Sequence, residues 1–510
     1  MNIFKLLTTV GFFTLLSRFT GFIRTVCLSA FLGASVASDA LVMAIRIANF
    51  LRKVLAEGAF NACFVPIFSK VLNIEGKDNA RDLASKIYSL LLMITIFISV
   101  IVVFFYPIVL KLFAPGFNGD RMSLSVLYGR ICFPFIISTT TVAVFSGILN
   151  TLGKFGIPAF LQVFVNLGSI FAMILAYYYD LDQGIVVSIG FLVTGVLQVA
   201  IIKSYATRNN FVVDFRFNFL SPKIALIFKN MIPGLISSGI WQINLLIDSR
   251  FASTLTSGGV SYIFYADQIL QLPLATLGIA IGSALVPVFS RSINLKKFKQ
   301  LRIDFNKSLA FSFGMAFPAT VGLVVLSFPI VAFIIGRGRV TLEDVKIVSD
   351  LLSVFAFALP AYVLNKILIA ACFSDSDTKT PLYSTTLNMI VNVTLLFFFV
   401  PRFSYIGIAL SNTVAAYISV LYLYIKKPHK FKILKLFKKI LLKQIIVSGI
   451  LAGLLMLTSD YIFEGFYDYG FLYKLLILGV VILIAIGIYC TLGVVFGFFN
   501  QSKIRMEFKK

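Results

Sequence analysis

The amino-acid sequence predicts an all-α, polytopic membrane protein with about fourteen transmembrane helices, and three observations carry that prediction. Of the 510 residues, 59% are hydrophobic and only 13% charged, against about 25% charged in a soluble globular chain. The mean hydropathy is +0.96. Apolar runs long enough to cross about 30 Å of hydrocarbon recur along the whole length. A disordered regulator, a secreted disulfide scaffold and a soluble nucleic-acid binder are excluded, because the 45 Lys and Arg, set against 21 Asp and Glu, sit between apolar blocks.

In order, the runs fall at 7–33, 37–68, 87–110, 129–150, 158–179, 184–205, 226–255, 262–290, 308–336, 348–372, 383–401, 403–425, 440–462 and 472–499. The first is not a cleaved signal peptide, since Arg18 and Arg24 interrupt it and no small-residue cleavage site follows. With a cytoplasmic N-terminus, thirty of the Lys and Arg fall inside, eight outside and seven within spans. That asymmetry follows the positive-inside rule and places both termini in the cytoplasm.

Cys27, Cys63, Cys132, Cys372 and Cys490 lie in apolar stretches without CxxC spacing, so they read as packing residues. The single histidine, His429, sits in a lysine-rich segment, which leaves no histidine cluster for a metal.

An internal echo points to two related halves. Val65-Pro66-Ile67-Phe68-Ser69-Lys70 recurs 221 residues later as Val286-Pro287-Val288-Phe289-Ser290-Arg291, and Pro158 recurs as Pro381 after 223. Six spans separate the copies, so both run in the same direction, as in transporters built from parallel repeats. The expected organisation is an N-terminal lobe at 1–215 (spans 1–6), a C-terminal lobe at 222–430 (spans 7–12), and 431–510 with an amphipathic segment and spans 13–14.

Charges inside the bilayer cost at least about 2.5 kcal/mol each, so they face a partner or a watery cavity. In span 2, Asp39, Arg46, Lys53 and Glu57 are spaced 7, 7 and 4, on one side of a helix, with Arg52 one step round. Span 1 adds Arg18 and Arg24, with Ser17 seven residues before Arg24. Interhelical ion pairing accounts for some of these, but two carboxylates cannot satisfy five cations, and a dry interface does not tolerate the excess. The expectation is a water-filled cavity that receives an anion. Arginine suits a phosphate or diphosphate through its bidentate fork.

Leu16-Ser17-Arg18-Phe19-Thr20-Gly21-Phe22-Ile23-Arg24, Ser38-Asp39-Ala40, Asn49-Phe50-Leu51-Arg52-Lys53 and Ala56-Glu57-Gly58-Ala59-Phe60 with Phe64-Val65-Pro66 together resemble the MurJ (MviN) family of lipid II flippases. Ala114-Pro115-Gly116-Phe117, Gly147-Ile148-Leu149-Asn150-Thr151, Tyr265-Ala266-Asp267 and Asp377-Thr378-Lys379-Thr380-Pro381 extend the likeness through span 12. The resemblance implies the multidrug/oligosaccharidyl-lipid/polysaccharide exporter fold, alternating access, and export of the undecaprenyl-diphosphate-linked peptidoglycan precursor across a bacterial cytoplasmic (inner) membrane, with no enzymatic step. It further implies Arg18, Arg24 and Arg52 as cavity cations, beside Ser17, Arg46 and Lys53, with Asp39 and Glu57 as gating or ion-pairing acids. Spans 13 and 14 correspond to a groove for the polyprenyl tail.

Two positions depart from the family pattern. Thr25 stands where many members have an acid, and Gln268 where many have an arginine. Asp248 and Arg250, with Gln268 and Lys366, are the candidates for a C-lobe cavity, and a local Asp248–Arg250 ion pair is the alternative. No cofactor is expected. Without a GxxxxGK[ST] loop, ATP is not the energy source. Asp248, Asn388, Asn392 and Thr394 offer oxygen ligands for a sodium ion, against a reading as interhelical hydrogen bonds.

The basic run Lys426 to Lys443, with Phe431, Leu434, Phe437 and Leu441 at helical spacing, reads as an amphipathic interfacial helix on anionic lipid. Expected partners are lipid II, anionic membrane lipids and cell-wall synthesis and division proteins, with the chain a monomer and no nucleic acid involved. Three rival functions stand beside this one. The first is an exporter-superfamily flippase or antiporter for another lipid-linked oligosaccharide or amphipathic substrate. The second is a membrane enzyme using Glu343, Asp344, Asp460, Glu464 or Asp468, which form no ordered motif, and the third is a scaffold, which leaves the buried charges unexplained.

Overall fold

The computed structural model describes residues 3–53, 59–218 and 221–498; Glu57 and the terminal cations Lys503, Arg505, Lys509 and Lys510 lie outside these. The described residues form α-helices, one 3-10 turn at Phe466–Asp468, short turns and no strand. In bulk hydrocarbon every backbone N–H and C=O must be paired within its own segment, and a helix does this locally.

Two compact units divide at Ser261 and Tyr262. The first holds α1 (Ile3–Leu32), α2 (Val36–Leu51), α3 (Ala59–Ile74), α4 (Lys77–Phe104), α5 (Tyr106–Phe113), α6 (Gly119–Cys132), α7 (Phe135–Thr151), α8 (Gly156–Tyr178), α9 (Gln183–Arg208) and α10 (Pro222–Ser253). In it α1 packs on α8, α8 on α9, α7 on α4 and α9, and α2 on α6. α10 opens the C-terminal lobe expected from sequence, yet it packs on α2, α3 and α5 of this unit.

The second unit holds most of α11 (Gly259–Asn294), then α12 (Phe298–Val325), α13 (Ser327–Ile334), α14 (Leu342–Ala356), α15 (Leu359–Ser374), α16 (Lys379–Lys426), α17 (Lys435–Ile462) and α18 (Phe471–Val495). Here α12 packs on α15 and α17, α15 on α16, and α17 on α18.

Prolines and glycine-like turns decide where the apolar runs break. Pro107 opens α5 after Phe105 turns to φ −94°, ψ 19°, and Pro360 opens α15. A proline is tolerated at a helix start because its missing N–H would be unpaired there anyway. In α16 the 48-residue run changes direction at Ser404, whose φ is 51° and ψ −128°, three residues after Pro401. The described residues contain nine helical segments long and apolar enough to cross a membrane, one of them α6 and α7 together, or ten with the bent α14–α15 pair taken as one. This is fewer than the fourteen expected spans. The described residues of span 2 include α2 and α3, of 16 residues each, about 24 Å apiece at 1.5 Å per residue.

The repeat extends far beyond the hexapeptide. α4 and α12 both have 28 residues, and α5 and α13 both have eight, with every boundary displaced by 221. The linking residues Phe105 and Leu326 share one conformation, φ −94°, ψ 19° and φ −96°, ψ 22°. The packing repeats too. Phe68 is fully buried edge-on to Phe211, ring centroids 5.6 Å apart, and Phe289 is fully buried edge-on to Phe431 at 5.3 Å. Beside each pair a polar side chain pins the segment that follows the last span of its half, after α9 in one and after α16 in the other. Ser85 Oγ accepts from Asp214 N at 3.1 Å, and Asn306 Oδ1 accepts from Leu434 N at 2.9 Å while its Nδ2 donates to the Lys432 carbonyl at 2.8 Å.

These contacts correct the expectation of a separate interfacial helix over Lys426–Lys443. Pro428 follows the end of α16, Phe431 is buried against Phe289 and Phe305, and regular helix resumes at Lys435 as the first turn of α17. An aromatic ring seated in a socket fixes this segment more firmly than the lysine spacing does.

Candidate functional site

In the first unit the charged residues of spans 1 and 2 divide between two places. At the start of α2, Ser35 caps the helix by accepting from Ser38 N at 3.2 Å. One residue further, the Asp39 carboxylate is fully buried and fully engaged. Its Oδ2 accepts from Arg121 at 2.7 Å and from Gly258 N at 2.8 Å; its Oδ1 accepts from Ser261 N at 2.9 Å and Ser261 Oγ at 2.8 Å. Ser38 and Ser261 hydroxyls are 2.9 Å apart. Gly258 has φ 91°, a conformation that aims its N–H at the carboxylate and that a side chain disfavours. Arg121 is held in turn by the face of Phe117, 4.3 Å from its guanidinium carbon, and by the Leu255 carbonyl.

Sequence alone paired Asp39 with the cavity arginines and left Arg121 among the outer-loop cations. The structure gives Asp39 to Arg121, because α6 packs along α2 and brings the start of α6 to the start of α2. The missed signal was an acid in an apolar run that needed a cation from another element.

Further along α2, Arg46 donates to Ser249 on α10. Asp248 is buried, whereas Arg250 is exposed and donates to the Leu112 carbonyl. Gln268 and Lys366 are half-buried in the second unit, which also contains Asn388, Asn392 and Thr394. Asn392 is fully buried, and Thr394 is exposed with its hydroxyl donating to Ile390 O at 2.9 Å.

The second place lies beside Arg24 and Arg52. Arg24, half-buried on α1, sets its guanidinium 5.8 Å from the Phe191 ring centroid on α9 and feels the like charge of Arg52. Among the described residues it has no carboxylate partner. Arg52 lines a cavity of about 330 Å³ bordered by α1, α3, α7, α8 and α9, with Asn61, Asn150, Gln162 and Gln198 in its walls. Arg18 is exposed, and Ser17, half-buried, gives its carbonyl to Asn166 Nδ2 at 3.0 Å. Asn166 also bonds Thr20, fastening α1 to α8. Lys53 is half-buried after α2.

The arrangement offers guanidinium charge beside an amide-walled cavity, in a helical membrane protein. Guanidinium groups pair with phosphate oxygens through bidentate contacts.

Comparison with known proteins gives the family. A family model described as lipid II flippase MurJ matches residues 28–478. A probable lipid II flippase MurJ of Rhizobium meliloti is 32% identical over 474 residues, covering 91% of this chain and 88% of that one. One from Rickettsia prowazekii is 31% identical, covering 96% and 97%. A solved lipid II flippase MurJ in an inward closed conformation superposes with a TM-score of 0.80 at 26% identity, covering 96% of this chain and 98% of that one. A multidrug-resistance MATE transporter, inward-facing, shares the fold alone, with a TM-score of 0.70 at 16% identity over 80% and 94% of the two chains. The chain belongs to the MurJ family of lipid II flippases.

Proposed function

We propose that this protein carries lipid II from the cytoplasmic to the outer leaflet of the bacterial inner membrane by alternating access, with both termini in the cytoplasm and no covalent step. The observation that carries the reading is a polar cavity lined by Arg52, with Arg24 in the same unit against Phe191 and the buried Asp39 carboxylate committed to Arg121 instead. Guanidinium groups in such a setting suit a diphosphate, which accepts from them with bidentate geometry. Arg18, Ser17, Arg46 and Lys53 are assigned to the same substrate path. Asp39 is assigned to holding the gate, with Arg121 as its partner.

Replacement of the chromosomal copy by Arg24→Ala or Arg52→Ala is expected to abolish growth at normal membrane levels of the protein, with lysine restoring it partly. Depletion is expected to leave lipid II on the cytoplasmic leaflet. Normal growth of the alanine variants would overturn the anion assignment, and accumulation of lipid II outside would overturn the flippase reading. No cofactor is invoked. Replacing sodium by choline during the assay reads any sodium dependence directly.

A further inference from the structure

The turn between α5 and α6 meets the end of α10 backbone to backbone. Ala114 closes α5, Phe117 N donates to the Ala114 carbonyl at 3.1 Å, and Gly116 between them donates its N–H to Ser253 Oγ at 3.2 Å. Ser253 is fully buried in the last turn of α10, and its hydroxyl donates to the Arg250 carbonyl at 2.7 Å. A Cβ added at Gly116 would stand 2.2 Å from the Ser253 carbonyl oxygen, 2.5 Å from its carbon and 2.6 Å from Thr254 Cα. Unlike Gly119 and Gly258, Gly116 does not adopt the left-handed conformation, so space and not backbone freedom calls for glycine here. All three atoms belong to the backbone, and no side-chain rotation can make room. The turn and the end of α10 would have to part by about 1 Å to reach ordinary contact.

The two segments that touch at Gly116 serve one carboxylate. One residue after Gly116, Phe117 is buried with its ring against the Arg121 guanidinium, and Arg121 donates to Asp39 at 2.7 Å and to the Leu255 carbonyl at 3.3 Å. Beyond Ser253 come that same Leu255 carbonyl and then Gly258 and Ser261, whose groups donate to Asp39 at 2.8 and 2.9 Å. Hydrogen bonds of this length are lost on a displacement of about 1 Å.

We infer that Gly116 is a positioning residue for the closure built on Asp39. By admitting the α10 backbone where any side chain would exclude it, Gly116 sets the spacing between Arg121 and the donors that follow α10. The inference rests on the assignment of Asp39 to the gate made above.

The test combines lipid II transport by purified protein in proteoliposomes with thermal midpoints. Gly116→Ala is expected to slow transport by at least about tenfold, the scale of one lost charge-assisted hydrogen bond. Its loss of midpoint should be much smaller in the Arg121→Ala background, because without Arg121 the two segments are free to part; a glycine needed only for general packing would cost the same in both backgrounds. Where Gly116→Ala fails to fold, Ser253→Ala removes the bond from Gly116 N without adding bulk and carries the same comparison with a smaller effect. Additive midpoint losses, or wild-type transport by Gly116→Ala, would overturn the positioning role while leaving the gate in place. Normal transport by Asp39→Ala would overturn the gate itself, and the positioning role with it.

Discussion

Asp39 and Arg121, 82 residues apart in sequence, form a 2.7 Å ion pair with the carboxylate wholly buried and the arginine side chain 12% exposed. Desolvating a carboxylate is expensive, and the pair is sustained here because three further donors from Gly258 and Ser261 complete the oxygen's coordination. Truncating one partner of such a pair typically costs about 3–5 kcal/mol.

Asp39→Ala and Arg121→Ala are therefore each expected to lower the thermal midpoint of the purified protein strongly. The double variant should be less damaged than the sum of the two, with a coupling of about 0.5–3 kcal/mol. Additive losses in this double-mutant cycle would show that the two side chains act separately.

The polar pins beside the buried phenylalanines make a second expectation. Asn306 is completely buried and satisfies the backbone at Lys432 and Leu434. Asn306→Ala should cost about 1–3 kcal/mol through the orphaned backbone groups, and limited proteolysis should begin to cut within 428–434. Ser85→Ala, which frees only the Asp214 N–H, should have the smaller effect. Unchanged cleavage in Asn306→Ala would remove the pin from the account.

Asp377, in the turn before α16, gives a pH dependence. Partial burial alone would raise its carboxyl, but hydrogen bonds from Thr380 and the Lys379 N–H, with the Lys379 charge, outweigh this and hold it below the usual range. A depressed carboxylate contributes stability above its unfolded pKa of about 3.9 and loses that contribution as pH falls through the lower folded value. Asp377→Asn should thus be less stable than wild type at pH 7, and the difference should shrink below about pH 4. A gap that stays constant between pH 7 and pH 3 would contradict the assignment.

How much of this was legible beforehand follows from the kind of interaction. Apolar runs and their repeat are written in composition, so Pro66 with Phe68 and Pro287 with Phe289 announced the duplication. Arg24 and Arg52 stood out because charge in hydrocarbon is costly. Asn61, Asn150, Gln162 and Gln198 did not, since amides are common and acquire meaning only when four helices bring them to one wall. Arg121 was hidden by its place in a loop-like stretch, and the loss of a separate basic helix followed from the burial of Phe431, which lysine spacing could not report.

The placement of α10 bears on biogenesis. By the 221-residue repeat, α10 is the counterpart of α1, the first helix of a second half, yet its contacts belong to the first unit, and two of the residues that donate to Asp39 lie beyond it at Gly258 and Ser261. A nascent chain that has inserted only through α9 therefore holds Asp39 with Arg121 alone. The first unit is completed by the opening residues of the second repeat, so a chain cut between α9 and α10 would lack the donors that Gly258 and Ser261 give to this buried acid.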